Sequence, residues 1–184
     1  MSMQTWGETL VSAQSDGTAL TNSTTATSIL PAAAKFTIPA NYFAIGRVLR
    51  LNAWGRISNV VTTPGNLTLD MRFGSTVVFT GGAMALNTTA KTNVAWRAII
   101  MLTCRSIGSG TSATLLGQGD WCSESATGSA SGVANDILMP ASAPAVGTGF
   151  DSTASQTVDL FATFSIANAA NSIQLHQYSL EAMN

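Results

Sequence analysis

Charge is scarce in this sequence of 184 residues. Lys and Arg number eight, Asp and Glu nine, and together they make up 9% of the chain, against roughly 25% in an ordinary soluble domain. Nucleic-acid binding needs clustered cations that displace counterions, so that class of partner is not expected. Lysine is nearly missing, with only Lys35 and Lys91. A single histidine, His176, leaves little for a Ser-His-Asp or Cys-His arrangement and reads as a hydrogen-bonded surface or interface residue. No second His and no closely spaced Cys pair is present for zinc, so no metal or other cofactor is expected. The phosphate-cradling and nucleophile-elbow motifs are missing too. No apolar run reaches the 18 residues of a membrane span. MSMQTWGETLVS has no basic stretch followed by an apolar one, so no secretory signal is expected, and synthesis in a cytoplasm is the default expectation. Two cysteines make no disulfide framework. Cys104 reads as a buried free thiol, and a bridge to Cys122 would require neighbouring strands. No segment carries a capped 3.6-residue period, and no repeat is visible.

What is present is alternation. In Asn93–Gly110, NVAWRAIIMLTCRSIGSG, one face holds Val94, Trp96, Ala98, Ile100, Leu102 and Cys104. The other holds Ala95, Arg97, Ile99, Met101, Thr103 and Arg105. Period two predicts a long strand with one face in a core. Arg47–Ser58 repeats the design, with Leu49, Leu51, Ala53 and Ile57 opposite Val48, Arg50, Asn52, Trp54 and Arg56. Leu67–Phe73 alternates in the same way, with Thr68, Asp70 and Arg72 outward.

Further strands are expected at Thr5–Gln14, Thr76–Phe79, Ala113–Ser123, Ile137–Met139, Thr157–Ile166 and Ser172–Ala182. Gly117 and Gly119 mark a bulge or a close backbone approach. The last two segments read as an antiparallel hairpin. Thr80–Thr92 reads as loop. The expected fold is all-β: an antiparallel two-sheet sandwich, a jelly roll, spanning residues 35–184. Residues 1–34, rich in Ser and Thr, are expected to form an N-terminal arm or edge strands.

The arginine-bearing faces are the features with functional content. Val48, Arg50, Trp54, Arg56, Arg72, Arg97, Ile99, Met101 and Arg105 form one surface if their strands share a sheet. Interfaces favour Arg, Met and aromatics and disfavour Lys, so these residues are expected to be an oligomer interface. The plain alternative is a solvated sheet face with an Asp70–Arg ion pair. The pairs Asp120 with Glu124, and Asp151 with Asp159, are the sparse acidic candidates for calcium. A carbohydrate site would need an exposed aromatic such as Trp121, and a hydrolase would need paired carboxylates.

Four stretches taken together resemble small structural proteins of tailed bacteriophages. They are ETLVSAQSDGTALTNSTTATSILP, GRVLRLNAWGRISNVVTTPGNLTLDMRFG, the AW…LTCRSIGSGTSATLLGQG run, and VDLFATFSIANAANSIQLHQYSLEAMN. The resemblance implies a virion protein on the capsid exterior. It points to a capsid decoration (cement) protein with a jelly roll like that of the tumour-necrosis-factor family. It implies a homotrimer bridging copies of the major capsid protein, with neither membrane nor nucleic acid as partner. It carries no catalytic residues, which makes an enzyme unexpected. A tail or fibre-associated protein, receptor-binding or carbohydrate-binding, is the alternative reading.

Overall fold

A computed structural model describes residues 7–183. The part of the first expected strand at Thr5 and Trp6 lies outside these residues. Strands β1 (Gly7–Ser12), β2 (Leu20–Thr21), β3 (Thr27–Ser28) and β4 (Thr37–Ile38) are short, and one 3₁₀ turn at Ala32–Ala34 separates the last two. Then come β5 (Val48–Asn59), β6 (Asn66–Phe73), β7 (Thr76–Thr80), β8 (Met84–Ala85) and β9 (Lys91–Ser106). The chain ends in β10 (Thr114–Ser123), β11 (Asn135–Met139), β12 (Gln156–Phe164) and β13 (Ser172–Met183). The long strands fall where the alternation placed them, within one or two residues at most ends. Thr80–Thr92, expected as loop, contains β8 and buries Met84 and Leu86.

Two antiparallel sheets face each other. The first runs β1-β13-β5-β9-β10-β11, with β2 also on β13. The second runs β3-β12-β6-β7, with β4 also on β12 and β8 on β6. The pairings nest: β1 with β13, β3 with β12, β5 with β9, and β6 with β7. A long antiparallel ribbon rolled on itself in this way is a jelly roll. The β10–β11 hairpin is an addition that widens the first sheet beyond β9. The Ser- and Thr-rich start contributes β1, β2 and β3 as paired strands, and Leu20, Ile29 and Leu30 enter the core.

The expected β12–β13 hairpin does not form. After Phe164 the chain crosses the end of the sandwich: Ser165 donates its N–H to the Asn66 carbonyl at 2.9 Å, and Asn171 Nδ2 donates to the Pro64 carbonyl at 3.0 Å. β12 and β13 therefore enter different sheets. Period two identifies a strand and its inward face, but not its neighbour. Ile166, the last residue of the expected strand, lies beyond the end of β12 and is exposed. A register slip between Leu175 and Gln177 shifts the alternation of β13 by one residue. Tyr178 turns inward and is buried, whereas His176 stands at the bulge with Nδ1 2.9 Å from Asp16 Oδ1.

The inner face of the first sheet is graded by size. Tyr178 is opposite Ala53, Ala53 opposite Ala98, and Ala98 opposite Trp121. Two alanines at the centre leave room for the second sheet, while large rings close the sides. Gly117 serves the same end, since a Cβ there would lie 2.2 Å from the Phe79 ring reaching over from β7. Gly117 and Gly119 are thus close approaches; the bulge of β10 sits instead between Thr114 and Leu115. At one end Phe43, Phe73 and Phe150 stack edge-on or tilted, with centroids 4.9–5.7 Å apart.

Residues 140–150 strap the open side of the sandwich. Gly147 donates to the Leu115 carbonyl in the first sheet at 2.9 Å, and Thr148 donates to the Val77 carbonyl in the second at 3.0 Å. Ala113 and Phe150 exchange both backbone hydrogen bonds.

The Tyr178 hydroxyl is buried with no hydrogen-bond partner among the described residues, and burial, with Asp159 adding to it, pushes its pKa far above the ordinary phenol range. An unsatisfied buried hydroxyl costs about 1–3 kcal/mol. Tyr178→Phe is therefore expected to leave the thermal midpoint unchanged or raise it, as scanning calorimetry would show. A clear loss of stability would mean that the hydroxyl has a partner.

Candidate interaction surface

The outer face of the first sheet gathers eight of the nine expected interface residues: Val48, Arg50, Trp54 and Arg56 on β5, and Arg97, Ile99, Met101 and Arg105 on β9. The register sets them in rows. One row reads Gln177, Trp54, Arg97, Cys122, Asp136, and the next Ser179, Asn52, Ile99, Asp120, Leu138. A third reads Glu181, Arg50, Met101, Gln118. Arg72 does not belong here. It is on β6 in the second sheet, so it faces the opposite side of the sandwich. There its guanidinium lies 3.2 Å from Asp70 Oδ2 and 4.2 Å from the centre of the Phe161 ring.

Large apolar side chains stand open among the arginines. Trp54 is 39% exposed, Met101 46% and Leu138 68%. Two hollows interrupt the face. A groove of about 340 Å³ runs between β9 and β10, with Ile99, Met101, Leu116 and Arg105 along it. A slot of about 220 Å³ opens beside Trp54, walled by Ala95, Arg97, Cys122 and Ala134.

Charge on this face is only partly paired. Arg97 Nη2 lies 3.5 Å from Asp136 Oδ1 and 3.8 Å from Asp120 Oδ2. Arg56 donates to the Asn93 carbonyl at 3.3 Å. Among the described residues Arg50, Arg56 and Arg105 make no ion pair. Asn52 is buried between strands and donates to Ser179 Oγ at 3.1 Å and Glu181 Oε1 at 3.2 Å. Cys122 turns outward and Cys104 inward, opposite Arg97 and Leu115 respectively, so the two are unpaired thiols. Burial raises both thiol pKa values, with Asp136 adding to the rise at Cys122, which leaves them protonated at neutral pH.

One wall of the slot depends on residues 124–134, which a nearly buried cation holds in place. Lys91 Nζ lies 2.7 Å from Glu124 Oε1, which also accepts the Gly132 N–H at 2.8 Å. These two hydrogen bonds, Lys91 first, lower the Glu124 pKa. A folded pKa below the unfolded one supplies stability that is complete above the unfolded value and is lost as pH falls through the folded value. Limited proteolysis is expected to cut residues 124–134 faster as pH drops through the carboxylate range. Glu124→Gln should be cut readily at neutral pH and show little further dependence on pH; an unchanged pH profile would remove this pair as the anchor.

The acidic candidates separate in space. Asp120 joins Arg97, Glu124 joins Lys91, Asp159 lies 2.7 Å from Lys35 Nζ, and Asp151 accepts from Thr153. Trp121 is 0% exposed, so it offers no sugar platform. The sequence missed Gln118, Asp120, Asp136 and Leu138 as members of the surface. They are on β10 and β11, whose pairing with β9 no local pattern reveals.

No family model matches the chain, and no curated protein matches it. Among solved structures it is similar to the CBM2 module of an evolved Dit protein from Lactobacillus casei BL23 phage J-1. The identity is 10%, covering 99% of this chain and 98% of that one, with a TM-score of 0.38.

Proposed function

We propose that this chain is a non-catalytic structural protein of a bacteriophage particle, a capsid decoration (cement) protein that docks on the major capsid lattice as a homotrimer. The observation that carries the reading is the outer face of the first sheet. It is broad and poor in lysine, with half-exposed Trp54 and Met101 set among Arg50, Arg97 and Arg105. That composition suits contact with another protein surface better than contact with water. The jelly-roll order and the resemblance of the four sequence stretches to phage structural proteins support the same reading. A lattice-binding protein gains strength from area and copy number rather than from a reactive site, and the low charge of the chain fits that demand.

Two measurements test it. Met101→Glu places a carboxylate in the middle of the surface and is expected to shift the protein from trimer to monomer on a sizing column with light scattering. No change in size would remove this face from the interface. A reconstruction of particles carrying the protein is expected to place its density on the capsid exterior. Density on the tail would replace decoration with the tail or fibre-associated role.

A further inference from the structure

We infer that the exposed edge of β11 in one copy docks on the Trp54 slot of the next, with Leu138 filling the slot and Asp136 meeting Arg56. This rests on the proposal that the outer face of the first sheet joins copies of the chain, and it names the residues that meet.

Three features support the match. Leu138 is the most exposed large apolar side chain on this face, standing outward from the last strand of the sheet with no neighbour beyond it. The open slot beside Trp54 is lined by the small residues Ala95 and Ala134 and by Cys122, with Trp96 and Arg97 completing it, and its surface is mostly apolar, which suits an aliphatic side chain. The charges agree as well. Asp136 is two residues from Leu138 on the same side of β11, and Arg56 is two residues from Trp54 on the same side of β5. Two residues of strand span about 7 Å in both cases, so leucine and carboxylate can meet slot and guanidinium together. Among the described residues Arg56 has only a backbone carbonyl as partner, and Asp136 Oδ1, 3.5 Å from Arg97, has lone pairs to spare.

Knob and slot are different patches of one molecule. Copies can therefore join head to tail, and a head-to-tail contact whose rotation closes gives a ring such as a trimer. The added β10–β11 hairpin then has a purpose, since without it the sheet would end at β9 with no knob to offer.

The test is self-association of the full chain by sedimentation velocity across a concentration series. Leu138→Glu and Asp136→Arg are each expected to weaken association about tenfold or more, as is Arg56→Asp. The double swap Asp136→Arg with Arg56→Asp should recover most of it. Circular dichroism of each variant guards against misfolding, and Leu138→Ala, which adds no charge, should weaken association in the same direction. Wild-type association in the variants, while Met101→Glu dissociates, would overturn this contact and leave the face as the interface. Weakened single variants without recovery in the double would overturn the Asp136–Arg56 pairing. A wild-type chain that stays monomeric at every concentration would overturn both this contact and the trimer on which it rests.

Discussion

Trp121→Ala is expected to lower unfolding free energy by about 3–5 kcal/mol, the usual cost of emptying an aromatic site in a core. That is a large share of the roughly 5–15 kcal/mol that holds a domain folded. Trp121 is fully buried between Ala98 on β9 and Ile137 on β11. The neighbouring alanine cannot expand to fill the space, and the hole would lie where the added hairpin joins the jelly roll. The indole N–H has no hydrogen-bond partner among the described residues, so the residue stabilises through burial and contact. Trp121→Phe, which also removes the unsatisfied donor, should therefore cost much less than alanine. Urea unfolding followed by circular dichroism gives both values. Equal losses for the two variants would show that the N–H has a partner after all.

Gly147→Ala is expected to destabilise by about 3 kcal/mol, the upper part of the range for forcing extra atoms into a packed site. The added Cβ would lie 1.9 Å from the Val78 carbonyl oxygen and 2.3 Å from its carbon. These are backbone atoms of β7, so relief requires the strap to lift. Lifting would break the bond from Gly147 to Leu115 in one sheet and that from Thr148 to Val77 in the other. Ala145→Gly, a change in the same strap, serves as the control and should stay near wild type. Hydrogen exchange should show the loss as faster exchange at Gly147 and Thr148 before the sheets themselves open. Unchanged exchange and midpoint would mean that the strap is not a tie between the sheets.

Alternation made the strands readable. Trp96, Ile100, Leu102 and Cys104 are buried where period two put them, and Arg97, Met101 and Arg105 face outward. Alternation says nothing about partners, because a strand buries the same face whichever neighbour it joins. For that reason Arg72 looked like Arg97 and lies across the sandwich from it, and β12 and β13 looked like a hairpin. The bulge at His176 was equally invisible, since a single extra residue changes parity without changing composition. Leu138 was legible only as part of a short apolar run. Its exposure follows from β11 being the last strand of the sheet, a fact of topology that no local window contains.

The nested pairing has a consequence in time. β6 and β7 are joined by the turn at Gly74 and Ser75 and can pair as soon as both are made. β5 must wait for β9, β3 for β12, and β1 for β13, where Glu8 finally meets Ala182. At translation rates of about 5–20 residues per second, β1 stays without its partner for on the order of ten seconds. Contacts this distant in sequence also slow folding itself. The run of Ser and Thr from Ser12 to Ser28, with Asp16 its one charge, suits that wait. A start built of longer apolar strands would offer sticky edges to every other nascent copy, whereas this one is polar enough to remain in water until the strand that seals it arrives.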